Sequence, residues 1–350
     1  MAKPVTTAPI AATAPAPPTS PDAGWAPAGR QLRRVLERRE IAIFLVAVVL
    51  FVYFSTTTSA FATVDNMVTM TQFMAPIAAI GAAEAVILTT GEVDLSSGTA
   101  FIFFPFVVYF LWANAGVPLV AAILVALACA AVFGLLNGVL TTMFGLPSFV
   151  TTLATFSALY GVMLVTSNSV QETFSLTGTG GNVLGGYSWS EILWALGCVA
   201  FIFYLLHLSR FGSHVVAAGG NLLGAAEAGV PVQRVKIWSF MMISVISAFI
   251  GIIDAARITT LDPGNDGTQE MFYAIAAAII GGTAMTGGRG TIIGSLIGAL
   301  VLGILYDGLD IKGVNASYFQ LVLGVAILAA MIANVQLRRA AMRRWRSIRR

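Results

Sequence analysis

Long apolar runs separated by short polar stretches make up the chain from about residue 41 onward. Each run is about 20 residues long, the length that an α-helix needs to cross the hydrocarbon core of a bilayer. Glycines interrupt the two runs between 270 and 308, so nine or eleven spans remain possible. The pattern predicts an all-α polytopic membrane protein of about ten spans, near 41–60, 67–90, 97–113, 118–140, 147–166, 189–209, 236–257, 270–286, 291–308 and 317–335.

The composition explains why these runs belong in lipid. Hydrophobic residues make up 57% of the 350 residues and charged residues only 10%. A soluble domain usually carries about a quarter charged residues, because its surface must be solvated. This chain could not cover a water-facing surface, and lipid must be its solvent.

The positions of the basic residues predict the orientation. With the N-terminus inside and ten crossings, all of the 19 Lys and Arg residues except Arg257 and Lys312 fall on the cytoplasmic side. Basic residues accumulate on that side in membrane proteins. Both termini are therefore predicted to be cytoplasmic, and the number of spans to be even.

The two ends of the chain differ from its middle. Residues 1–29 are rich in Ala, Pro and Thr and hold seven of the 13 prolines. They offer too little apolar surface to offset the entropy of ordering. We predict a disordered cytoplasmic tail at 1–29, a transmembrane domain at 30–337 and a basic cytoplasmic tail at 338–350.

The sequence lacks the common motifs of enzymes. It has no Gly-x-x-x-x-Gly-Lys-Ser/Thr loop for ATP phosphates, no His-Glu-x-x-His and no Gly-x-Ser-x-Gly. These absences disfavour a membrane-embedded enzyme. We predict a chain without catalytic residues, metal or cofactor.

Ionisable residues inside apolar runs are costly and usually face a bundle interior or an aqueous path. Asp254 and Arg257 lie one helical turn apart and can pair on one face. A structural ion pair and a gating role are both open for them. Glu84 either faces a water-filled cavity or lies nearer the surface than its run suggests.

A polar helix break is predicted where the second span meets the third. In the block Gly-Glu-Val-Asp-Leu-Ser-Ser-Gly at 91–98, Asp94 can cap the next helix by accepting backbone N–H bonds near Ser96 and Ser97. A break at membrane depth is tolerated only where protein or a water-filled cavity covers it. The block is a structural cap, part of a translocation path, or both.

Glycines four residues apart indicate close helix packing. Gly290, Gly294 and Gly298 would share one helix face, and Gly134 and Gly138 repeat the spacing. Such glycines let helix backbones approach closely in lipid.

Three blocks together carry a family resemblance. The first is 91–98, the second is Ala-Ala-Gly-Gly-Asn-Leu-Leu-Gly-Ala-Ala-Glu-Ala-Gly-Val at 217–230, and the third runs from Gly281 to Gly290. In this order they resemble the permease subunits of ribose-, xylose- and arabinose-type ABC importers, which belong with the branched-chain amino acid permeases. The resemblance covers about residues 40–335. The chain departs from the family pattern at Leu222 and Leu223, where an acidic residue often follows the Asn, and in the bulky Phe-rich stretch 101–110.

The resemblance implies a multi-pass subunit of the bacterial inner membrane that translocates a monosaccharide, with pentose, hexose and polyol all open. It implies three kinds of partner: a cytoplasmic ATPase that binds the ATP, a periplasmic or lipid-anchored sugar-binding protein, and a second permease copy. It places the ATPase-coupling loop at Gly219, Gly220, Asn221, Ala226, Glu227, Gly229 and Val230. The candidates for a translocation path or gate are Asp94, Ser96, Gly98, Asp254, Arg257, Gly281, Gly282 and Thr283.

The loop also has its own helix signals. Asn221 can cap a short helix, and Gly229 suits its end with Pro231 just beyond. The alternative function is a secondary transporter that acts alone, driven by protons through Glu84 or Asp254. Broken helices do not separate the two functions, because such carriers have them as well.

Overall fold

The computed structural model describes residues 39–176, 178–315, 318–322, 324–325, 328 and 332. The predicted tails at 1–29 and 338–350 lie outside these residues. The predicted transmembrane domain, 30–337, is described over most of its length.

Residues 318–322 are helical, and twelve further helices and two very short strands have defined bounds within the described residues. In chain order they are α1 (Arg39–Thr57), α2 (Val64–Thr90), α3 (Ser97–Tyr109, continued by the π-helical turn Phe110–Asn114), α4 (Leu119–Thr142), α5 (Ser148–Thr166), β1 (Glu172–Thr173), α6 (Gly178–Gly181, continued by the π-helical turn Asn182–Gly186), α7 (Ser190–Phe203, continued by the π-helical turn Tyr204–Leu208), α8 (Arg210–Gly220), α9 (Leu222–Glu227), α10 (Val232–Ile258), β2 (Thr260–Leu261), α11 (Thr268–Ile280) and α12 (Ile292–Ile311). The strands pair antiparallel, with Glu172 opposite Leu261 and Thr173 opposite Thr260.

Eight of these helices are long and apolar enough to cross a membrane: α1, α2, α3, α4, α5, α7, α10 and α12. The all-α polytopic fold is confirmed. The tenth predicted span, 317–335, lies mostly outside the described residues, so the exact count and the side of each terminus stay predictions.

The predicted span at 270–286 is shorter than expected. Its helix, α11, has 13 residues and ends at Ile280, because Gly281 and Gly282 leave the helix and Gly282 takes a φ of 97°. At 1.5 Å per residue it is about 20 Å long, which is less than the ~30 Å of a hydrocarbon core. The interrupted character that the glycines predicted is confirmed, and the length was wrong.

Helix α2 is the central helix of the bundle. Its residues from Met74 to Thr90 are all buried, and it packs against α7, α8, α10, α11 and α12. Large apolar side chains are instead exposed on α1, α4 and α5, for example Val49, Leu124 and Phe149. The arrangement fits a lipid-facing surface around a protein-filled centre.

The predicted close packing at Gly134 and Gly138 is confirmed. A Cβ atom at Gly134 would lie 2.4 Å from the carbonyl oxygen of Phe240, and one at Gly138 would lie 2.7 Å from Cα of Ile237. Both neighbours belong to α10. Only glycine lets α4 and α10 approach this closely.

Candidate functional site

The break between α2 and α3 is held by its own polar groups. Helix α2 ends at Gly91 with a φ of 86°. Oδ1 of Asp94 accepts the backbone N–H of Ser96 at 2.7 Å and the hydroxyl of the same residue at 2.6 Å. The predicted hydrogen bond from the N–H of Ser96 to Asp94 is confirmed, whereas α3 itself, which begins at Ser97, has no side-chain cap.

Two neighbouring helices complete this polar network. The side chain of Asn137 on α4 donates to Oγ of Ser96 at 2.8 Å, and Thr155 on α5 donates to Oδ1 of Asn137 at 2.7 Å. The hydroxyl of Thr152 accepts the backbone N–H of Leu95 at 3.1 Å. These partners were not predicted, although a lone Asn in an apolar run and hydroxyls spaced along one face of α5 are signals present in the sequence.

Glu84 lies at the same break. Its side chain is fully buried, and Oε1 accepts the backbone N–H of Asp94 at a long 3.4 Å. The other carboxyl oxygen of each residue, Oε2 of Glu84 and Oδ2 of Asp94, has no hydrogen-bond partner within the described part of the chain. Of the two alternatives for Glu84, the position near the surface is excluded, because the break folds back against α2 and covers the side chain.

An ion pair joins the break to another helix. The side-chain amine of Lys236, in the first turns of α10, binds the carboxylate of Glu92. Both side chains are about 15% exposed. This pair fixes the start of α10 beside the end of α2, and neither residue was predicted to pair.

The three sequence blocks meet beside the end of α2, where a Cβ atom at Gly287 would lie 2.7 Å from the carbonyl oxygen of Gly219 and 3.1 Å from Cα of Gly91. The N–H of Gly288 donates to the carbonyl oxygen of Thr89 at 2.8 Å. A Cβ atom at Gly219 would lie 1.8 Å from the same oxygen, and one at Gly288 would lie 2.7 Å from Cα of Gly220. We call Thr89, Gly219, Gly220, Gly287 and Gly288 the glycine junction. It brings together chain segments that are far apart in sequence.

The predicted coupling loop is a short helix on the exposed side of this junction. Oδ1 of Asn221 accepts the N–H of Gly224 at 3.0 Å and so caps α9. Beyond the helix Gly229 has a φ of 82°, and the N–H of Val230 returns to the carbonyl of Ala225. The predicted cap and stop are confirmed.

The surface of α9 is open. Ala226, Glu227 and Gly229 are exposed, and Leu223 is 75% exposed, whereas Ala225 is buried against the protein. An exposed leucine on an element outside the membrane-spanning helices is available for a protein contact.

Close packing also holds α11 and the 281–291 loop against α12. A Cβ atom at Gly294 would lie 2.0 Å from the carbonyl oxygen of Gly281, and one at Gly298 would lie 2.2 Å from that of Ala277. Buried Thr283 accepts the N–H of Thr291, the residue that caps α12. The predicted packing at Gly294 and Gly298 is confirmed.

The predicted helix face shared by Gly290 with Gly294 and Gly298 is wrong for Gly290. This residue lies before α12, which begins at Ile292, and so does not share a helix face with Gly294 and Gly298. Its neighbour is Thr89, whose Oγ1 would be 1.9 Å from a Cβ atom on Gly290. The spacing of four was a coincidence of loop and helix, and the residue belongs beside the glycine junction.

Helix α11 begins against the first turn of α3. A Cβ atom at Gly98 would lie 1.9 Å from the carbonyl oxygen of Gly267, and Oγ1 of Thr99 donates to the carbonyl of Asp266 at 3.0 Å. Gly98 thus joins two helix starts by backbone contact.

Further along its length, α11 packs against the central helix α2. The ring of Tyr273, in the second turn of α11, lies 5.9 Å from the ring of Phe73. Phe73 stands nine residues after Val64 in a 27-residue helix, which is about 14 Å along an axis of about 40 Å. Gly267, immediately before α11, is buried against Gly98, so the helix starts within the bundle. Residues 262–267 lead to it as irregular backbone, in which Asp262 and Gly264 are exposed.

Two cavities lie around this start of α11. One has a volume of about 230 Å³ and the other about 170 Å³. Both are lined by Phe101, Asp254 and Glu270. The predicted path residues Asp254 and Arg257 face the larger cavity, whereas Asp94, Ser96, Gly98, Gly281, Gly282 and Thr283 line neither of the two.

The predicted pairing of Asp254 with Arg257 is confirmed, and it has a third member. The guanidinium of Arg257 lies 2.5 Å from Oδ1 of Asp254 and 2.6 Å from Oε2 of Glu191. The carboxylate of Glu191 is only 1% exposed and ties α7 to α10. Glu191 was not predicted as a partner, because it stands at the polar start of a span, where an acidic residue is ordinary. The choice between a structural and a gating role stays open.

Comparison with known proteins agrees with the fold. The family model described as the permease component of the branched-chain amino acid transport system matches residues 66–331. The xylose/arabinose import permease protein of Sulfolobus acidocaldarius is 34% identical over 88% of each chain. The L-arabinose ABC transporter permease protein of Azospirillum brasilense is 34% identical over 89% of this chain and 92% of its own.

A further relative has a lower sequence identity. The ribose import permease protein of Escherichia coli K12 is 29% identical over 86% of this chain and 94% of its own. No solved structure matches. The chain therefore belongs to the branched-chain amino acid transport permease family, and it is a membrane-embedded ABC transporter permease.

Proposed function

We propose that this chain is the transmembrane permease subunit of an ATP-driven importer that moves a monosaccharide across the bacterial inner membrane. The cargo is a pentose, a hexose or a polyol. The observation that carries the proposal is the similarity, over most of the chain, to permeases named for xylose, arabinose and ribose import. A separate cytoplasmic ATPase binds and hydrolyses ATP, so this chain is not itself an enzyme and needs no cofactor.

The proposed assembly has three further kinds of component. Two permease copies, identical or related, stand side by side, two ATPase domains bind their cytoplasmic face, and a periplasmic or lipid-anchored binding protein delivers the sugar. The exposed helix α9 is the proposed contact with the ATPase. Its small exposed residues suit a groove, and Glu227 offers one charge to a basic partner.

The glycine junction supports a mechanical role for α9. Helix α9 follows α8 after a single residue, Asn221, and the last two residues of α8 contact Thr89 and Gly288 through backbone atoms. Because these contacts are between backbone atoms, a displacement of α9 would move the contacting segments directly, with no flexible side chain between them. It would reach the end of α2 and the break that leads into α3, and the helices would then rock to open the path outward.

Reconstitution tests the function. Proteoliposomes that hold this chain, its ATPase and its binding protein are expected to take up D-xylose, L-arabinose or D-ribose only when ATP is present. The purified chain alone should show no ATPase activity and no tight nucleotide binding. ATP turnover by a clean preparation of the chain, or failure of the complete system to move any monosaccharide or polyol, would overturn the proposal.

A second candidate is an ion-coupled carrier that acts alone. The buried carboxyl groups of Glu84 and Asp94 favour it, because buried acidic groups in membrane helices often belong to proton pathways. Liposomes with this chain as their only protein distinguish the two functions. Sugar-dependent proton uptake without ATPase would establish the carrier, whereas the importer predicts none.

A further inference from the structure

The larger cavity has the lining that a sugar requires. Its volume is about 230 Å³, and its walls include Phe73, Tyr273 and Tyr306 beside Gln72, Gln269 and Glu270. A sugar has an apolar face of C–H groups and a rim of hydroxyls. Aromatic walls suit the face, and a few fixed polar groups suit the rim.

The aromatic wall is rigid. The rings of Phe73 and Tyr306 stack at 3.9 Å with an angle of 6° between them. Phe319 packs edge-on against both Tyr273 and Tyr306, with centroids 5.4 and 4.9 Å away. The amide of Gln269 donates to the hydroxyl of Tyr273. The wall is therefore held before any ligand arrives, which lowers the entropic cost of binding.

Glu270 has an acceptor with nothing bound to it. Its Oε1 accepts from the side-chain amide of Asn265 at 3.3 Å, but its buried Oε2 has no hydrogen-bond partner among the residues that the structure describes. A buried acceptor without a donor is costly and calls for an explanation. Glu270 lines both cavities, so a hydroxyl group of a bound molecule would supply the missing donor.

The position of Glu270 also points to a ligand. It lies in the first turn of α11, the short helix that starts inside the bundle. Substrate sites of many transporters are formed where a discontinuous helix starts near the middle of the membrane. The residue thus stands at the start of a short helix, directly after irregular backbone, and lines a cavity.

The charges favour a neutral ligand over an amino acid. An amino acid would need a free cation for its carboxylate, but Arg257 is already bound by Asp254 and Glu191. Two carboxyl groups bind that one guanidinium, and Glu270 adds a third carboxyl group to the lining of the same cavity. The carboxyl groups would repel an anionic group of a ligand, whereas they can accept a hydrogen bond from a ligand hydroxyl group.

We propose that this cavity is a sugar-binding site within the permease, in which Glu270 accepts a sugar hydroxyl and the Phe73–Tyr306 stack packs against the ring. The inference rests on the proposed function. In such a transporter, the permease would contribute to substrate specificity together with its binding protein.

The test uses the complete transporter in proteoliposomes, with ATPase activity and sugar uptake measured together. Glu270→Gln keeps the size of the side chain but weakens a charged hydrogen bond. We expect about a tenfold or greater loss of sugar moved per ATP. The ATPase stimulation by loaded binding protein should persist, because α9 and the glycine junction are untouched. Glu270→Asp should recover part of the transport.

Two further pairs separate binding from folding. Tyr306→Leu removes the ring and should lower uptake, whereas Tyr306→Phe keeps the stack and should transport normally. Glu172→Gln is the matched control for Glu270→Gln, because Glu172 lies outside the cavity and binds the hydroxyl of Tyr109 at 2.7 Å. If Glu270→Gln does not assemble, the comparison of Tyr306→Leu with Tyr306→Phe decides.

Each result has a definite meaning. Normal sugar uptake per ATP by Glu270→Gln, or by Tyr306→Leu in the absence of an assembled Glu270 variant, overturns the sugar site while the proposed function stands. Uptake of L-leucine in place of sugars, or no uptake by the unchanged chain, overturns the proposed function and the sugar site with it.

Discussion

At the scale of single residues, Gly219 and Gly220 are neighbours in α8 with very different surroundings. A Cβ atom at Gly219 would lie 1.8 Å from the carbonyl oxygen of Thr89, whereas one at Gly220 would have Cα of Gly288 at 3.8 Å as its nearest neighbour. Neither residue has a positive φ. The two positions therefore differ in available space alone.

This difference makes a matched pair of variants. Gly219→Ala forces backbone segments apart, since no side-chain rotation can relieve the clash, and should cost about 1–3 kcal/mol of stability. Coupling between ATP hydrolysis and uptake should fall as well. Gly220→Ala should behave like the unchanged chain. Thermal unfolding in detergent and uptake per ATP measure both effects, and equal behaviour of the two variants would contradict a close-packed junction.

At the scale of elements, the start and end of α9 are set by residues close to it in the sequence, and the helix is exposed. Its cap at Asn221 and its end at Gly229 come from neighbouring residues, and Ala226 and Glu227 are exposed on its outer surface. A short helix of this kind is stable only as part of the fold. It can then be changed at its surface without disturbing the transmembrane bundle.

Two changes in this region test its role in coupling. Glu227→Lys reverses the one charge on the exposed face, and Gly229→Leu strains the left-handed backbone that ends the segment. Both should abolish sugar-stimulated ATPase activity and uptake while the chain still inserts in the membrane.

Gly116→Leu is the control for strain. Gly116 also has a positive φ, at 70°, and no atom lies within 4 Å of the position of its Cβ. It lies in the turn between α3 and α4, remote in sequence from α9. Normal transport by Glu227→Lys and Gly229→Leu would show that coupling runs through another element.

At the scale of the whole molecule, the orientation in the membrane remains a prediction from the basic residues. The glycine junction and α9 are predicted to lie on the cytoplasmic side, and the segment around α6 on the outer side. An impermeant thiol reagent distinguishes the two sides in intact cells.

The labelling experiment starts from a chain with Cys129 and Cys198 replaced, because Cys129 is exposed. A cysteine at Gly180 should react from outside, and one at Leu222 should react only after the membrane is permeabilised. Both positions are exposed, so a lack of reaction cannot be due to burial. The opposite labelling pattern would reverse the orientation and remove α9 from the ATPase side.

The sequence by itself determined the features that depend on neighbouring residues. Lipid as the solvent, most of the spans, the cap at Asn221 and the Asp254–Arg257 pair each follow from composition or from residues within one or two helical turns. These interactions are settled by helix geometry whatever else surrounds the helix. They could therefore be predicted without a fold.

The tertiary structure alone decided which segments meet. Nothing near Gly219 in the sequence indicates Thr89 or Gly288, and nothing near Arg257 indicates Glu191. The depth at which α11 starts, and with it the cavity around Glu270, depends on how α2, α3 and α10 pack together. Such contacts arise from the packing of whole helices, in which a residue's partners are chosen by the shape of the bundle and not by its neighbours along the chain.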